Sequence, residues 1–207
     1  MREILKNVKE KLVNKYLENH VLKSSKKLNS RIKARIRKNK QLLNKNISNL
    51  FDWVKGAELV ELKECNTEED PVRPELDNVF RRSYGRKIYG VKYGGEIHAV
   101  MCFAYTNKIP KNVDELNKLS HDAYLQSAQR DQNIGKIAIA YTVWSKKKGG
   151  GKLIVKEVFK KIKRSNHLNR LVTLSPLTEM ATKFHTRNGA KLIQINETTQ
   201  NFEYKII

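Results

Sequence analysis

Three consecutive glycines, Gly149-Gly150-Gly151, narrow the folds open to this chain more than any other feature. They separate an apolar, β-branched and aromatic run, Gly135–Trp144, from a run with helical apolar spacing, Leu153–Ile162. Glycines weaken the interior of a strand or a helix, so a cluster of them marks the boundary between the two. A strand that turns through glycines into a helix makes an anion site by geometry alone. The missing Cβ atoms let a ligand approach the backbone, and the unpaired N–H groups of the first helical turn face it. Lys146, Lys148 and Lys152 add positive charge around Gly149, Gly150 and Gly151. The spacing is neither the GxxxxGK[ST] of a nucleotide-triphosphate loop nor the GxGxxG of a dinucleotide site.

The rest of the region alternates strands and helices. Ala57–Cys65 alternates apolar and polar residues as a half-buried strand does. The acidic stretch NTEEDPVRPE reads as turns, and Leu76–Ser83 as a short helix. Lys87–Lys92 and Glu96–Tyr105 read as a hairpin about Gly94-Gly95. Asn112–Leu119 has a cap and a helical spacing, whereas residues 120–134 are polar and read as a loop or a marginal helix. After the glycine turn come a strand, Arg170–Ser175, a helix, Thr178–Arg187, and two strands near 190–196 and 201–207. The order of strands and helices over residues 55–207 is that of an α/β (α+β) domain.

Residues 1–54 differ in character and read as a basic α-helical N-terminal region. Residues 1–50 hold 15 Lys/Arg against 3 Asp/Glu, more than half of the chain's net charge of +21. They contain neither Pro nor Gly, and their apolar residues recur at helical spacing, so two basic amphipathic helices with a break near Lys23–Lys27 are expected. The densest run contains Lys26, Lys27, Arg31, Lys33, Arg35, Arg37, Lys38 and Lys40. Two readings stay open. The run is a handle for nucleic acid or another polyanion, or it is the solvated face of helices packed on the next domain. Aromatic residues that could stack on bases are sparse there, so stacking recognition of single strands is not signalled.

Several classes drop out. No apolar run approaches the roughly 18 residues of a membrane-crossing helix. The start, MREILKNVKE, lacks the apolar core of a signal peptide. Cys65 and Cys102 alone cannot build a disulfide scaffold or a four-ligand zinc site, and an intracellular, reducing setting is expected. No His/Cys/Asp/Glu spacing suggests a metal. His98 reads as a structural strand residue and Cys102 as a buried apolar one.

Four segments together resemble a known family. Lys146-Lys-Lys-Gly149-Gly150-Gly151 resembles the Q/R-x-x-G-x-G/A loop of GNAT-type acetyltransferases, with Lys where Arg or Gln is usual. Val172-Thr173-Leu174-Ser175-Pro176-Leu177 resembles the TLSPIP motif of malonyl-CoA decarboxylases, whose catalytic domain has the GNAT fold. Phe184-His185-Thr186-Arg187-Asn188-Gly189-Ala190 resembles their FHxxNGA motif. Glu96-Ile-His-Ala-Val, followed by Thr106-Asn-Lys-Ile-Pro, resembles a strand and the segment before their central helix. The decarboxylases carry a long segment between the TLSPIP and FHxxNGA motifs, where this chain has only Leu177–Lys183.

The resemblance implies a GNAT-like acyl-CoA-binding domain over 55–207, with a mixed central sheet flanked by helices. It implies that the 146–152 loop cradles the diphosphate of a coenzyme A thioester, malonyl-CoA or acetyl-CoA. It also places Ser175 and His185 at the decarboxylase active-site positions. A hydroxyl can stabilise the thioester enolate left by loss of CO2, and a histidine can handle the proton or hold the departing carboxylate. Two rivals remain. A histidine after Phe184 also suits the general acid of an N-acyltransferase whose acceptor is nucleic acid or associated with a polyanion. The third reading is a non-catalytic nucleic-acid-binding or virion-type structural protein that retains the fold. Taken without the family, Ser175-Pro176 is an ordinary strand exit and Asn188-Gly189 an ordinary helix stop.

Overall fold

The computed structural model describes residues 11, 30–130 and 134–205. The chain divides into two compact units at the Gly56/Ala57 boundary. In the first unit one helix is described, α1 (Ser30–Gly56). It is basic along its length, and Arg35, Arg37, Lys38 and Lys40 are exposed. Arg31 and Lys33 also belong to it. Apart from Lys11, the expected earlier helix falls outside the described residues, as do the break near Lys23–Lys27 and the residues Lys26 and Lys27.

In the second unit eight strands form one sheet among the described residues: β1 (Glu58–Leu62), β2 (Lys87–Tyr93), β3 (Glu96–Thr106), β4 (Ile137–Ser145), β5 (Arg170–Thr173), β6 (Ser175–Pro176), β7 (Lys191–Ile195) and β8 (Thr199–Tyr204). Neighbours run antiparallel from β1 to β4, and β4 pairs with β5 in parallel. Antiparallel β8 then pairs with β5, β6 and β7. The β2–β3 turn is made by Gly94 and Gly95, both at positive φ (60° and 88°), as a tight right-twisted hairpin requires.

Side chains alternate across β3, so its two faces meet different partners. Val100, Cys102 and Ala104 join Leu116, Ile139, Tyr141 and Leu174 in the main core. Leu116 comes from α3 (Val113–Arg130). Its start is fixed by Asn112, whose Oδ1 accepts from the Glu115 amide at 2.8 Å. The other face carries Ala99, Met101 and Phe103 and meets α4 (Gly150–Lys163), where Ile154, Val158 and Ile162 are buried.

Helix α3 continues to Arg130, beyond the expected Leu119. The reason lies in its buried stripe, Leu116, Ser120, Ala123 and Ser127, at spacings of three and four. Three of the four are small or polar, so hydropathy does not register them. Ser120 also receives a 2.6 Å hydrogen bond from Arg86 Nη2.

The NTEEDPVRPE stretch is more than a turn. Asp70 and Arg81 form an ion pair at 2.8 Å with both side chains fully buried. Arg81 lies in the short helix α2 (Asn78–Arg82), capped by Asp77. Asp70 also accepts from the Thr142 hydroxyl of β4 at 2.9 Å and from the amides of Val72 and Arg73. A buried charge pair is tolerated only when its remaining donors and acceptors are satisfied, and here they are. Arg81 spends its other N–H groups on the carbonyls of Leu76 and Arg73 and on the Cys102 sulfur. Residues 70–73 are thereby fixed against β4.

Candidate active site

The sheet is interrupted where β4 and β5 part. Their ladder runs from Ile137↔Arg170 to Ala140↔Thr173 and ends with the Leu174 amide donating to the Ala140 carbonyl at 2.9 Å. Beyond it β4 continues, whereas the other strand breaks at Leu174. Its two halves, β5 and β6, keep one register on β8, since Val172 faces Glu203 and Ser175 faces Gln200. Side chains replace ladder bonds at the break. Asn201 Nδ2 donates to the Thr173 carbonyl at 2.9 Å, and the Phe202 amide donates to Thr173 Oγ1 at 3.1 Å.

The break sets Ser175 at the head of a polar chain that runs into the protein. Ser175 Oγ lies 2.8 Å from His185 Nε2 and 3.0 Å from Thr173 Oγ1. His185 Nδ1 lies 2.9 Å from the Tyr204 hydroxyl. His185 comes from α5 (Glu179–Arg187), started by Thr178, whose Oγ1 accepts from the Ala181 amide, and stopped at Asn188-Gly189 with Gly189 at φ 89°. The imidazole is stacked on Phe202 with ring centroids 5.0 Å apart and is only 5% exposed. Burial lowers its pKa from 6.5 to about 4, so the ring is neutral near pH 7. Burial also pushes the Tyr204 hydroxyl up, which keeps it protonated.

A neutral imidazole has one N–H, so the chain has two self-consistent states. With the hydrogen on Nδ1, His185 donates to Tyr204 and Nε2 accepts the Ser175 hydroxyl hydrogen. With the hydrogen on Nε2, Tyr204 donates to Nδ1, His185 donates to Ser175, and Ser175 donates to Thr173. The first state draws the hydrogen of Ser175 inward. The second holds its oxygen from behind, and its hydrogen can then leave Thr173 and turn outward without breaking the bond to His185.

At the far end of β4, Ser145 Oγ donates to the Lys147 carbonyl at 2.6 Å and the Lys146 amide donates to the His98 carbonyl at 2.9 Å. Gly149 follows at φ 86°, a left-handed conformation that disfavours a side chain. A Cβ on Gly150 would lie 2.3 Å from Ser145 Oγ, and one on Gly151 would press on the Phe184 ring at 3.2 Å. Among the described residues, the amides of Gly149, Gly151 and Lys152 donate to no protein acceptor, whereas that of Gly150 is spent on the Lys147 carbonyl. Lys146 is paired with Glu69 at 2.6 Å.

Both ends open into one cleft of about 930 Å³. Ser175, His185, Thr173 and Tyr204 line one part of it, and Lys146, Lys148, Gly149, Gly151 and Lys152 another. Gly150 lies behind this lining. Pro71 and Val72, from the anchored acidic stretch, contribute to the wall. A group with a diphosphate and a long flexible arm fits these residues, because free amides and lysines stand at one end and a hydroxyl–imidazole pair at the other. His98 stays out of the cleft; its Nε2 contacts the Tyr93 carbonyl at 3.1 Å. Cys102 is fully buried, and burial pushes its thiol up. Thr173, Tyr204 and Arg73 each lie inside an expected strand or turn, but nothing in the local sequence pattern marks their contacts.

No protein-family model matches the chain, and no curated protein matches it either. Solved structures do. A malonyl-CoA decarboxylase from Rhodopseudomonas palustris superposes with a TM-score of 0.55 at 15% identity, covering 97% of this chain and 69% of that one. The GphF GNAT-like decarboxylase in complex with isobutyryl-CoA gives 0.55 at 10% identity, covering 72% of this chain and 100% of that one. For a malonyl-CoA decarboxylase from Cupriavidus metallidurans the values are 0.43, 20%, 70% and 38%. The chain thus spans well under half the length of the last relative. The domain has the GNAT fold, as these solved structures do.

Proposed function

We propose that the second unit binds an acyl-CoA and decarboxylates a malonyl-type thioester through Ser175 and His185. One observation carries the reading: the hydrogen-bonded Ser175–His185 pair and the free amides of the glycine turn face the same cleft. The diphosphate rests on the amides of Gly149, Gly151 and Lys152, with Lys148 and Lys152 supplying charge. The pantetheine arm follows the parted strands to Ser175. There the Ser175 hydroxyl turns toward the thioester oxygen, while His185 Nε2–H donates to the Ser175 oxygen. The bond between the α-carbon and the carboxylate carbon breaks, its electron pair enters the thioester enolate, and CO2 leaves. A proton from solvent then reaches the α-carbon. A hydroxyl fixed at the developing oxyanion is worth most in a site that excludes water.

Purified protein given malonyl-CoA should release CO2 and acetyl-CoA. If label from acetyl-CoA appears on an amine acceptor and no CO2 is released, the acyltransferase reading replaces this one. If coenzyme A thioesters fail to bind at all, both fall.

The exposed basic residues of α1 favour one addition, a polyanion partner such as nucleic acid. A short DNA duplex should bind the full chain, with affinity falling steeply between low and physiological salt. Binding absent at low salt, or indifferent to salt, removes this addition.

A further inference from the structure

The parting of β4 and β5 leaves backbone carbonyls without ladder partners, and buried carbonyls must find a donor. In β4 the pairing with β3 slips between Cys102↔Thr142 and Phe103↔Ala140, so Tyr141 is the extra residue of a β-bulge. Across the gap, the Leu174 carbonyl would be the next acceptor of a continued ladder, but β4 has turned away from it. One side chain serves both. Arg73 Nε donates to the Tyr141 carbonyl at 2.9 Å, and Arg73 Nη2 donates to the Leu174 carbonyl at 3.1 Å.

The backbone that carries this side chain is itself held. Arg73 is 8% exposed. Its amide donates to Asp70 Oδ1, and its carbonyl accepts from Arg81 Nη2 at 2.8 Å. A planar fork with two N–H groups about one carbonyl spacing apart can bridge two strands, whereas an ammonium is a point donor. The residue bonded directly to Leu174 is Ser175.

We infer that Arg73 is a positioning residue: its guanidinium replaces the missing rungs at the fork, holds β4 and β5 at a fixed separation, and so sets the place of Ser175 in the cleft. The inference rests on the proposed chemistry only for its consequence in turnover. Its structural half stands on the apo protein alone.

The test uses hydrogen exchange of the full chain, with and without added ethylguanidinium. Arg73→Ala should raise exchange at the Leu174 amide about tenfold, with β1 and β2 unchanged, because two buried acceptors lose their donor locally. Millimolar ethylguanidinium should reverse much of the change. Arg73→Lys, which keeps the charge but cannot bridge both carbonyls, should fall between wild type and Arg73→Ala, and it carries the test if the alanine variant fails to fold. If malonyl-CoA is turned over, kcat should drop about a hundredfold with KM nearly constant, as misplacing a reacting group by about an ångström does. A folded variant whose Leu174 amide exchanges at the wild-type rate, or a rise spread evenly over the whole sheet, overturns the inference. Inactivity of the wild-type protein toward malonyl-CoA would count against the proposed function and leave the exchange result standing.

Discussion

Acid should weaken this fold through one imidazole. His185 is enclosed by Phe184, Phe202 and Tyr204, and its pKa falls from 6.5 to about 4 on folding. The unfolded chain therefore takes up a proton near pH 6.5 that the folded chain refuses until about pH 4. Between those limits the unfolded state binds more protons, so stability falls as the pH is lowered, and it is fully retained above about pH 7. At about 1.4 kcal/mol per pH unit, the window is worth roughly 3 kcal/mol. Other groups also titrate there, so the comparison must isolate His185. His185→Gln keeps a polar side chain and removes the titration. Urea unfolding of both proteins at several pH values from 7.5 to 4 gives the two slopes. The wild type should lose about 3 kcal/mol more than the variant over this range. Parallel losses would show that the ring is protonated in the folded state as readily as in the unfolded one, and the neutral-imidazole account of the site would fail.

Other outcomes follow from the same geometry. Ser175→Ala should reduce turnover of malonyl-CoA by about a hundredfold or more while leaving thioester affinity nearly unchanged, and a loss below about tenfold would remove Ser175 from the oxyanion role. The pH profile of kcat should stay level from pH 8 to about 5.5 and fall only toward pH 4, because His185 stays neutral that far down. Gly149→Ala, at φ 86°, should cost about 1 kcal/mol of stability and weaken coenzyme A binding, both readable by calorimetry. Arg81→Met should destabilise by about 3–5 kcal/mol in chemical denaturation, since it leaves Asp70 charged and buried without its cation.

Much of this was legible in the residues, and the pattern of what was not is informative. The strand–glycine–helix unit, the Gly94-Gly95 hairpin and the helix stop at Asn188-Gly189 are local signals, and each lies where its chemistry indicated. Ser175 and His185 could be named because motifs carry them, and they do meet. The groups behind them could not. Tyr204 lies 19 residues from His185, and Arg73 lies 101 from Leu174 and 68 from Tyr141. Contacts at such separations leave no periodicity to read. Helix α3 was underestimated for a different reason: serine and alanine make a good buried stripe where a neighbour comes close, but they carry little hydropathy.

Strand β8 comes last among the described strands, yet it closes three ladders at once, on β5, β6 and β7. Until Thr199–Tyr204 have left the ribosome, β6 and β7 have no partner edge and His185 has no tyrosine behind it. The β2–β3 and β7–β8 hairpins are local, but β8 joins β5 and β6, and with them the strand that carries Ser175, only in a late step across the intervening helix. Such steps are slow, because loop closure precedes the contacts that reward it. A growing chain therefore holds an unfinished cleft until Thr199–Tyr204 emerge, and the hydrogen-bonded run of Ser175, His185 and Tyr204 arises only once the sheet is whole.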